Sequence, residues 1–160
     1  MKELVAIAEQ IAAKLIERHE TIAVAESSTG GLISAALLAV PGASAYFLGG
    51  SVVYTRDARR ILMDIPDEAM KGIRSASEPY AKLLASRIRQ RFSTNWGLSE
   101  TGATGPTGNR YGDAAGHSCM AVAGPQAQVI TLETGSSDRF ANMQVFASTA
   151  LNLLLQNLSR

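Results

Sequence analysis

Little in this sequence advertises a partner by charge. Its 15 Lys and Arg nearly balance 14 Asp and Glu, leaving a formal net charge of +1, so the basic footprint of a nucleic-acid or membrane-surface binder is missing. There is one cysteine, Cys119, which excludes an internal disulfide. Small and apolar neighbours, with no cationic cluster beside it, make it a buried hydrophobe rather than an activated thiol. The only two histidines, His19 and His117, lie in surroundings without metal-ligand spacing, so no metal is expected. No apolar run has the length of a signal-peptide core or a membrane span. A cytoplasmic location is therefore the expectation, and neither nucleic acid nor membrane is an expected partner. No repeat, low-complexity tract or linker interrupts the 160 residues. They amount to one domain, long enough to remove about two-thirds of the unfolded surface from water, with a small molecule as the expected partner.

What is present is alternation of helix and strand. In 2–19 the residues Leu4, Ala8, Ile11 and Leu15 recur three or four apart, an amphipathic helix. Residues 21–25 are apolar after the first, as a strand covered on both faces requires. A helix over 32–40 follows, with the Ser/Thr/Gly segment as its first turn and Pro41-Gly42 as its stop. A second strand is expected within 46–54, where Gly49-Gly50 suggests a bulge or close backbone approach. Helices are read at 56–65 and at 78–92, the latter capped by Ser77. A strand over 96–100, a loop over 102–112, and two neighbouring strands over 118–122 and 129–132 come next. The chain closes on a helix from about Asp138, with Phe140, Met143, Ala147, Leu151, Leu154 and Leu158 as its buried stripe. This order implies an α/β fold, a three-layer α/β/α sandwich with a mixed, mostly parallel sheet.

Two loops after strands could carry chemistry. Glu26-Ser27-Ser28-Thr29-Gly30-Gly31 sits where a strand gives way to a helix, so free N–H groups, hydroxyls and the positive helix end could converge on an anion. The Gly-Lys-Ser/Thr ending of a Walker loop is absent, and an ordinary capped helix start explains the spacing as well. Thr101-Gly102-Ala103-Thr104-Gly105-Pro106-Thr107-Gly108 again joins hydroxyls to glycines that let a ligand approach the main chain, although a long mobile loop reads the same way. Together they suggest a crevice beyond the carboxyl ends of the strands. Between them stand Ser44, by itself a capping serine, and Tyr54-Thr55-Arg56-Asp57-Ala58-Arg59-Arg60, by itself a solvated helix face.

In this order the segments 23–31, 40–45, 50–54, Ser77-Glu78, 101–106 and Asp138-Arg139 resemble the C-terminal domain of the competence/damage-inducible protein A family over nearly the whole chain. The resemblance implies a nicotinamide-nucleotide amidase, converting nicotinamide mononucleotide to nicotinate mononucleotide and ammonia without a cofactor, and is compatible with a homo-oligomer. It casts Ser44 as nucleophile, with Tyr54 aiding orientation or proton transfer. Ser28, Thr29, Gly30, Gly31, Thr101, Gly102, Thr104, Gly105 and Arg139 become substrate-binding residues. In the family the serine works with a lysine whose position here is Arg59. A guanidinium stays protonated, so it can hold a phosphate but cannot accept the serine's proton. Ser28 replaces a family cysteine, Met143 replaces a second arginine, and 107–115 is poorer in glycine and proline. The alternative is a paralogue without amidase activity that binds a nucleotide or a protein.

Overall fold

The computed structural model describes residues Met1–Arg160. A five-stranded sheet in the order β2-β1-β3-β4-β5 forms its middle layer. At its heart is β1 (Ile22–Glu26), buried at every position because strands flank it on both edges and helices cover both faces. β2 (Phe47–Val52) and β3 (Trp96–Ala103) run parallel to it. β4 (His117–Ala123) turns back antiparallel to β3, and β5 (Gln128–Glu133) antiparallel to β4. Four strands therefore point one way and β4 the other.

The side-chain period of two in β1 assigns the layers. Ile22 and Val24 join Trp96, Leu98, Met120 and Val122 in a large core. It is covered by α1 (Lys2–Arg18), α2 (Leu32–Leu38) and α5 (Arg139–Leu158). Ala23 and Ala25 point to the other face, where α3 (Arg56–Met63) and α4 (Glu78–Phe92) bring Met63, Tyr80, Leu84 and Ile88. Cys119 lies on this second face between Ala81, Ala85 and Ala121, and burial pushes its thiol pKa up, as for a packed hydrophobe. No helix is long and apolar enough to cross a membrane.

Local chemistry sets the helix starts. Thr55, Ser77 and Asp138 each accept a hydrogen bond from the amide three residues on, in α3, α4 and α5 respectively. The expected bulge is present: along β1 the partner jumps from Phe47 to Gly49, leaving Leu48 as the extra residue. Other expectations need correction. Thr101, Gly102 and Ala103 belong to β3 rather than to a loop, because Cys119, Ser118 and His117 pair with them. The Ser/Thr/Gly segment stays outside α2, which begins at Leu32. Phe140 is 59% exposed, since Asn142 takes the inward position and two residues of helix turn Phe140 about 200° away from it.

Gly97 sets how closely α4 approaches the sheet: a Cβ there would stand 2.2 Å from the Ala85 carbonyl oxygen, a backbone atom that cannot step aside. Gly97→Ala is expected to lower stability by about 2 kcal/mol through this overpacking, measured by urea unfolding. A neutral result would show that α4 slides freely on β3.

Candidate functional site

At the carboxyl end of β1 and beside it within β3 stand two carboxylates with no exposure at all, Glu26 and Glu100. The segment between β1 and α2 wraps around them. Glu26 Oε1 accepts from the amides of Gly31 and Ile33 and from the Thr29 hydroxyl, and its Oε2 accepts from Ser34 N at 2.9 Å. It thus serves as the anion at the α2 N-terminus, although it sits in the preceding strand. Glu100 Oε2 accepts from Ser27 N at 3.1 Å and Thr29 N at 3.0 Å, while its Oε1 faces the hydroxyls of Ser28 and Ser118. Burial raises the Glu100 pKa, and the bonds from Ser28, Thr29 and Ser27 oppose the rise. Gly30 N is bound to Ser27 O. The amides of residues 27 and 29–31 are therefore already engaged within the chain.

In front of this knot opens a cleft of about 490 Å³. Ser27, Thr101 and Gly102 line one side, Tyr54, Arg56 and Arg59 another, and Asn109, Arg110 and Tyr111 the outer rim. Arg59 is the most telling of these. Its side chain is 9% exposed, and its guanidinium lies over the Tyr80 ring, 5.8 Å from the centroid. One Nη reaches Asp67 at 3.5 Å, while the buried Nε has no hydrogen-bond partner. Asp67 is chiefly engaged by Arg56 at 2.9 Å, and that bond holds its carboxyl below the usual range. Arg110 stacks on Tyr111 at 5.0 Å. Three guanidiniums and one carboxylate, Asp67, line the cleft, an excess of positive charge that suits an anion.

The rim is held by a clamp built on His117. Both ring nitrogens face acceptors: Nδ1 meets Glu133 Oε1, and Nε2 meets the Ala76 carbonyl at 2.7 Å with Asp113 at 3.6 Å. An imidazole with an acceptor on each nitrogen is best satisfied when doubly protonated. Burial works against the charge, but the Glu133 bond, the Ala76 carbonyl and Asp113 outweigh it, so the pKa is raised. Asp113 also pairs with Arg74 at 3.1 Å and accepts from Asn109. His117 thereby ties 74–76 and 109–113 to the sheet.

A family model described as the CinA C-terminal domain matches residues 4–158. This chain belongs to that family. A CinA-like protein of Gloeobacter violaceus is 36% identical over 150 residues, covering 92% of this chain and 35% of that protein. One of Acidobacterium capsulatum is 36% identical, covering 94% and 36%. The chain thus spans about a third of the length of these relatives. Among solved structures, the competence/damage inducible protein CihA from Agrobacterium tumefaciens superposes with a TM-score of 0.88 at 27% identity, covering 99% of this chain and 96% of that one. A competence or damage-inducible protein from Enterobacter asburiae gives 0.90 at 26%, covering 97% and 98%.

Within this CinA domain the candidate residues divide into three groups. Tyr54, Arg59, Thr101 and Gly102 line the cleft, and Thr101 Oγ1 also accepts from Ala76 N. Ser28, Thr29, Gly30, Gly31, Thr104, Gly105 and Arg139 lie behind or beside it. Ser28 and Thr29 bind Glu100, the Thr104 carbonyl accepts from buried Asn142, and Arg139 bridges the Gly105 carbonyl to the Tyr54 hydroxyl. Ser44 stands apart. It is exposed in the short 3-10 turn Ala43–Ala45 before β2, at the amino end of a strand whose carboxyl end leads to Tyr54. Sequence reading missed Tyr80, Asn109, Arg110 and Tyr111 as cleft residues and His117 as their clamp. The aromatic and cationic run Asn109-Arg110-Tyr111, within a loop otherwise of small residues, was the available signal.

Two outcomes follow for the buried groups. Either orientation of an amide at position 26 sets an N–H₂ against an N–H donor, so Glu26→Gln is expected to cost about 3 kcal/mol. At position 100 the amide oxygen can keep Ser27 N and Thr29 N while its N–H₂ faces two hydroxyls that reorient, so Glu100→Gln is expected to cost less than about 1 kcal/mol. Equal losses in urea unfolding would contradict the asymmetry. For His117 the folded pKa lies above the ordinary 6.5, so the native state binds the proton more tightly. The clamp's stabilisation is then complete below pH 6.5 and is lost as pH rises through the folded value. The stability gap between the wild type and His117→Ala is expected to narrow from about pH 6.5 upward; a gap that widens with pH would refute a protonated clamp.

Proposed function

We propose that the cleft binds a phosphorylated nucleotide of the nicotinamide mononucleotide type, and that the nicotinamide-nucleotide amidase reaction implied by the family resemblance is strongly impaired in this chain. The observation that supports this reading is Arg59: buried, stacked on Tyr80 and carrying an Nε without a partner. A phosphate oxygen in the cleft would pair with the Arg59 guanidinium in a charge-assisted bond. Arg110 and Arg56 add charge at the rim, and Thr101, Asn109 and Tyr54 offer polar contacts to a ribose or a base. No cofactor is required, and a soluble small molecule in the cytoplasm suffices as ligand.

In the amidase reading Ser44 attacks the carboxamide carbon, Tyr54 assists, and a base removes the serine's proton. Arg59 cannot be that base, and loss of general-base help typically lowers the rate about a hundredfold to ten-thousandfold. The place of Ser44, off the cleft wall of its own chain, favours the second reading, a family member that binds the nucleotide without turning it over.

Calorimetric titration with nicotinamide mononucleotide is expected to show binding that Arg59→Ala weakens about tenfold to a hundredfold, the usual worth of a charge-assisted hydrogen bond. Ammonia release by the wild type is expected to be near background and to rise in Arg59→Lys. Robust wild-type turnover that disappears in Ser44→Ala would contradict the impairment, and unchanged affinity in Arg59→Ala would contradict the phosphate site.

A further inference from the structure

Most of the polar groups in the rim loop are spent on the loop itself. Asn109 Oδ1 accepts from the amides of Tyr111 at 3.0 Å and Asp113 at 3.1 Å, and its Nδ2 donates to Asp113 Oδ2 at 2.8 Å. The main chain closes the same turn, with Asn109 N bound to the Asp113 carbonyl at 3.1 Å. A Cβ at residue 108 would stand 2.1 Å from that carbonyl oxygen, so the closure requires glycine there. Arg74, paired with Asp113, sets its guanidinium 5.7 Å from the centre of the Tyr111 ring, and Arg110 sets another at 5.0 Å. Tyr111 is thus held by its amide, by two cations and, through Asp113, by the His117 clamp, although it is 39% exposed.

One group of this loop is left over. The Tyr111 hydroxyl accepts from Arg110 Nη2 at 2.9 Å, and its own hydrogen is given to no group of the chain. Tyr111 lines the cleft, and the charged and polar side chains that act on its phenol are donors: Arg110 on its own loop, Arg74 and Ser75 on the segment before α4, and Arg56 and Arg59 on α3. The acids nearby are already paired, Asp113 with Arg74 and Asp67 with Arg56. The Arg110 bond pulls the phenol's pKa down. Burial opposes it, but Ser75 and the charges of Arg110 and Arg59 complete the fall below the ordinary 10. A phenol whose oxygen already accepts from a guanidinium is polarised toward giving its hydrogen away.

We infer that Tyr111 is a direct ligand of the phosphate in this cleft, donating its hydrogen to one phosphate oxygen while Arg59 and Arg110 pair with the others. This rests on the nucleotide reading under Proposed function and assigns a residue to it. The three donors come from separate places, α3 and the rim, and a phosphoryl group with three terminal oxygens satisfies them together. The bracing gives the contact its value, because a ring already fixed loses little freedom when the ligand arrives. The donor also has a limit. Once ionised, the phenolate has no hydrogen to give and sets a negative charge against the phosphate. The ligand therefore binds the protonated form and raises the pH at which Tyr111 ionises. Affinity is level below that pH and falls above it, by up to about tenfold per pH unit.

Calorimetric titration with nicotinamide mononucleotide and with sulfate tests the contact, since both ligands hold a constant charge above about pH 8. Tyr111→Phe keeps the ring between its two guanidiniums and removes only the hydroxyl. At about pH 8 it is expected to weaken both ligands about threefold to tenfold, the usual worth of one hydrogen bond. Wild-type affinity is expected to fall between about pH 8 and pH 10, in step with the ultraviolet absorbance of the phenolate that is missing from Tyr111→Phe. Bound sulfate is expected to move that absorbance change to higher pH, and the affinity of Tyr111→Phe is expected to stay level. Unchanged or tighter binding by Tyr111→Phe, or an equal alkaline fall in both proteins, overturns the inference. Sulfate held through Tyr111 without binding of the nucleotide refutes the proposed function and keeps Tyr111 as an anion ligand. Nucleotide binding indifferent to Tyr111→Phe does the reverse, and failure of both ligands to bind refutes both.

Discussion

The structure depends on burying two carboxylates side by side. Glu26, which ends β1, and Glu100, within the neighbouring parallel strand β3, have no contact with solvent, a placement that is tolerable only if donors surround them. The chain supplies those donors from one turn. The amides of Ser27, Thr29, Gly31, Ile33 and Ser34, with the hydroxyls of Ser28 and Thr29, all point inward. Gly30 and Gly31 both adopt positive φ, which only glycine does freely, and this lets the turn reverse tightly enough to reach both anions. The direction of α2, the exit of β2 beside it and the position of Ser27 on the cleft wall all follow from that knot.

The knot also redirects the chemistry. A Ser/Thr/Gly turn at a helix N-terminus looks like a phosphate cradle, but here the internal carboxylates already occupy the place an external phosphate would take. The cationic side of the cleft lies instead on α3 and on the 104–116 loop, where Arg59 and Arg110 are braced by Tyr80 and Tyr111. Arg59 where the family resemblance implies a lysine fits that division. It gives up a group that can lose its proton and gains a fork that stays charged and binds two oxygens at once.

Periodicity and caps made the fold legible. The apolar run at 21–25 announced a doubly covered strand, Ser77 with Pro79 announced α4, and Gly49-Gly50 announced a bulge or a close approach, of which the strand shows a bulge at Leu48 and side chains close against both glycines. The cleft was legible only in part, because its decisive contacts join residues far apart in sequence. Nothing near Ser27 or Thr29 reveals that their amides belong to Glu100, more than seventy positions away. A glutamate after each of two short apolar runs, 22–25 and 96–98, was the available hint, since such a residue must find donors. The remoteness of Ser44 from Arg59 was hidden for a different reason. Fifteen residues of separation look short, but β2 lies extended between them, and an extended strand separates its ends more than a helix would.

The account's central claim is that internal carboxylates own the glycine-rich turn and that an external phosphate belongs to Arg59. A crystal structure of the chain soaked with nicotinamide mononucleotide tests it directly. The phosphate is predicted to lie within hydrogen-bond distance of the Arg59 guanidinium, with Ser27 N and Thr29 N still bound to Glu100. A phosphate bound instead to the amides of Thr29, Gly30 and Gly31, with Glu26 or Glu100 displaced, would contradict it.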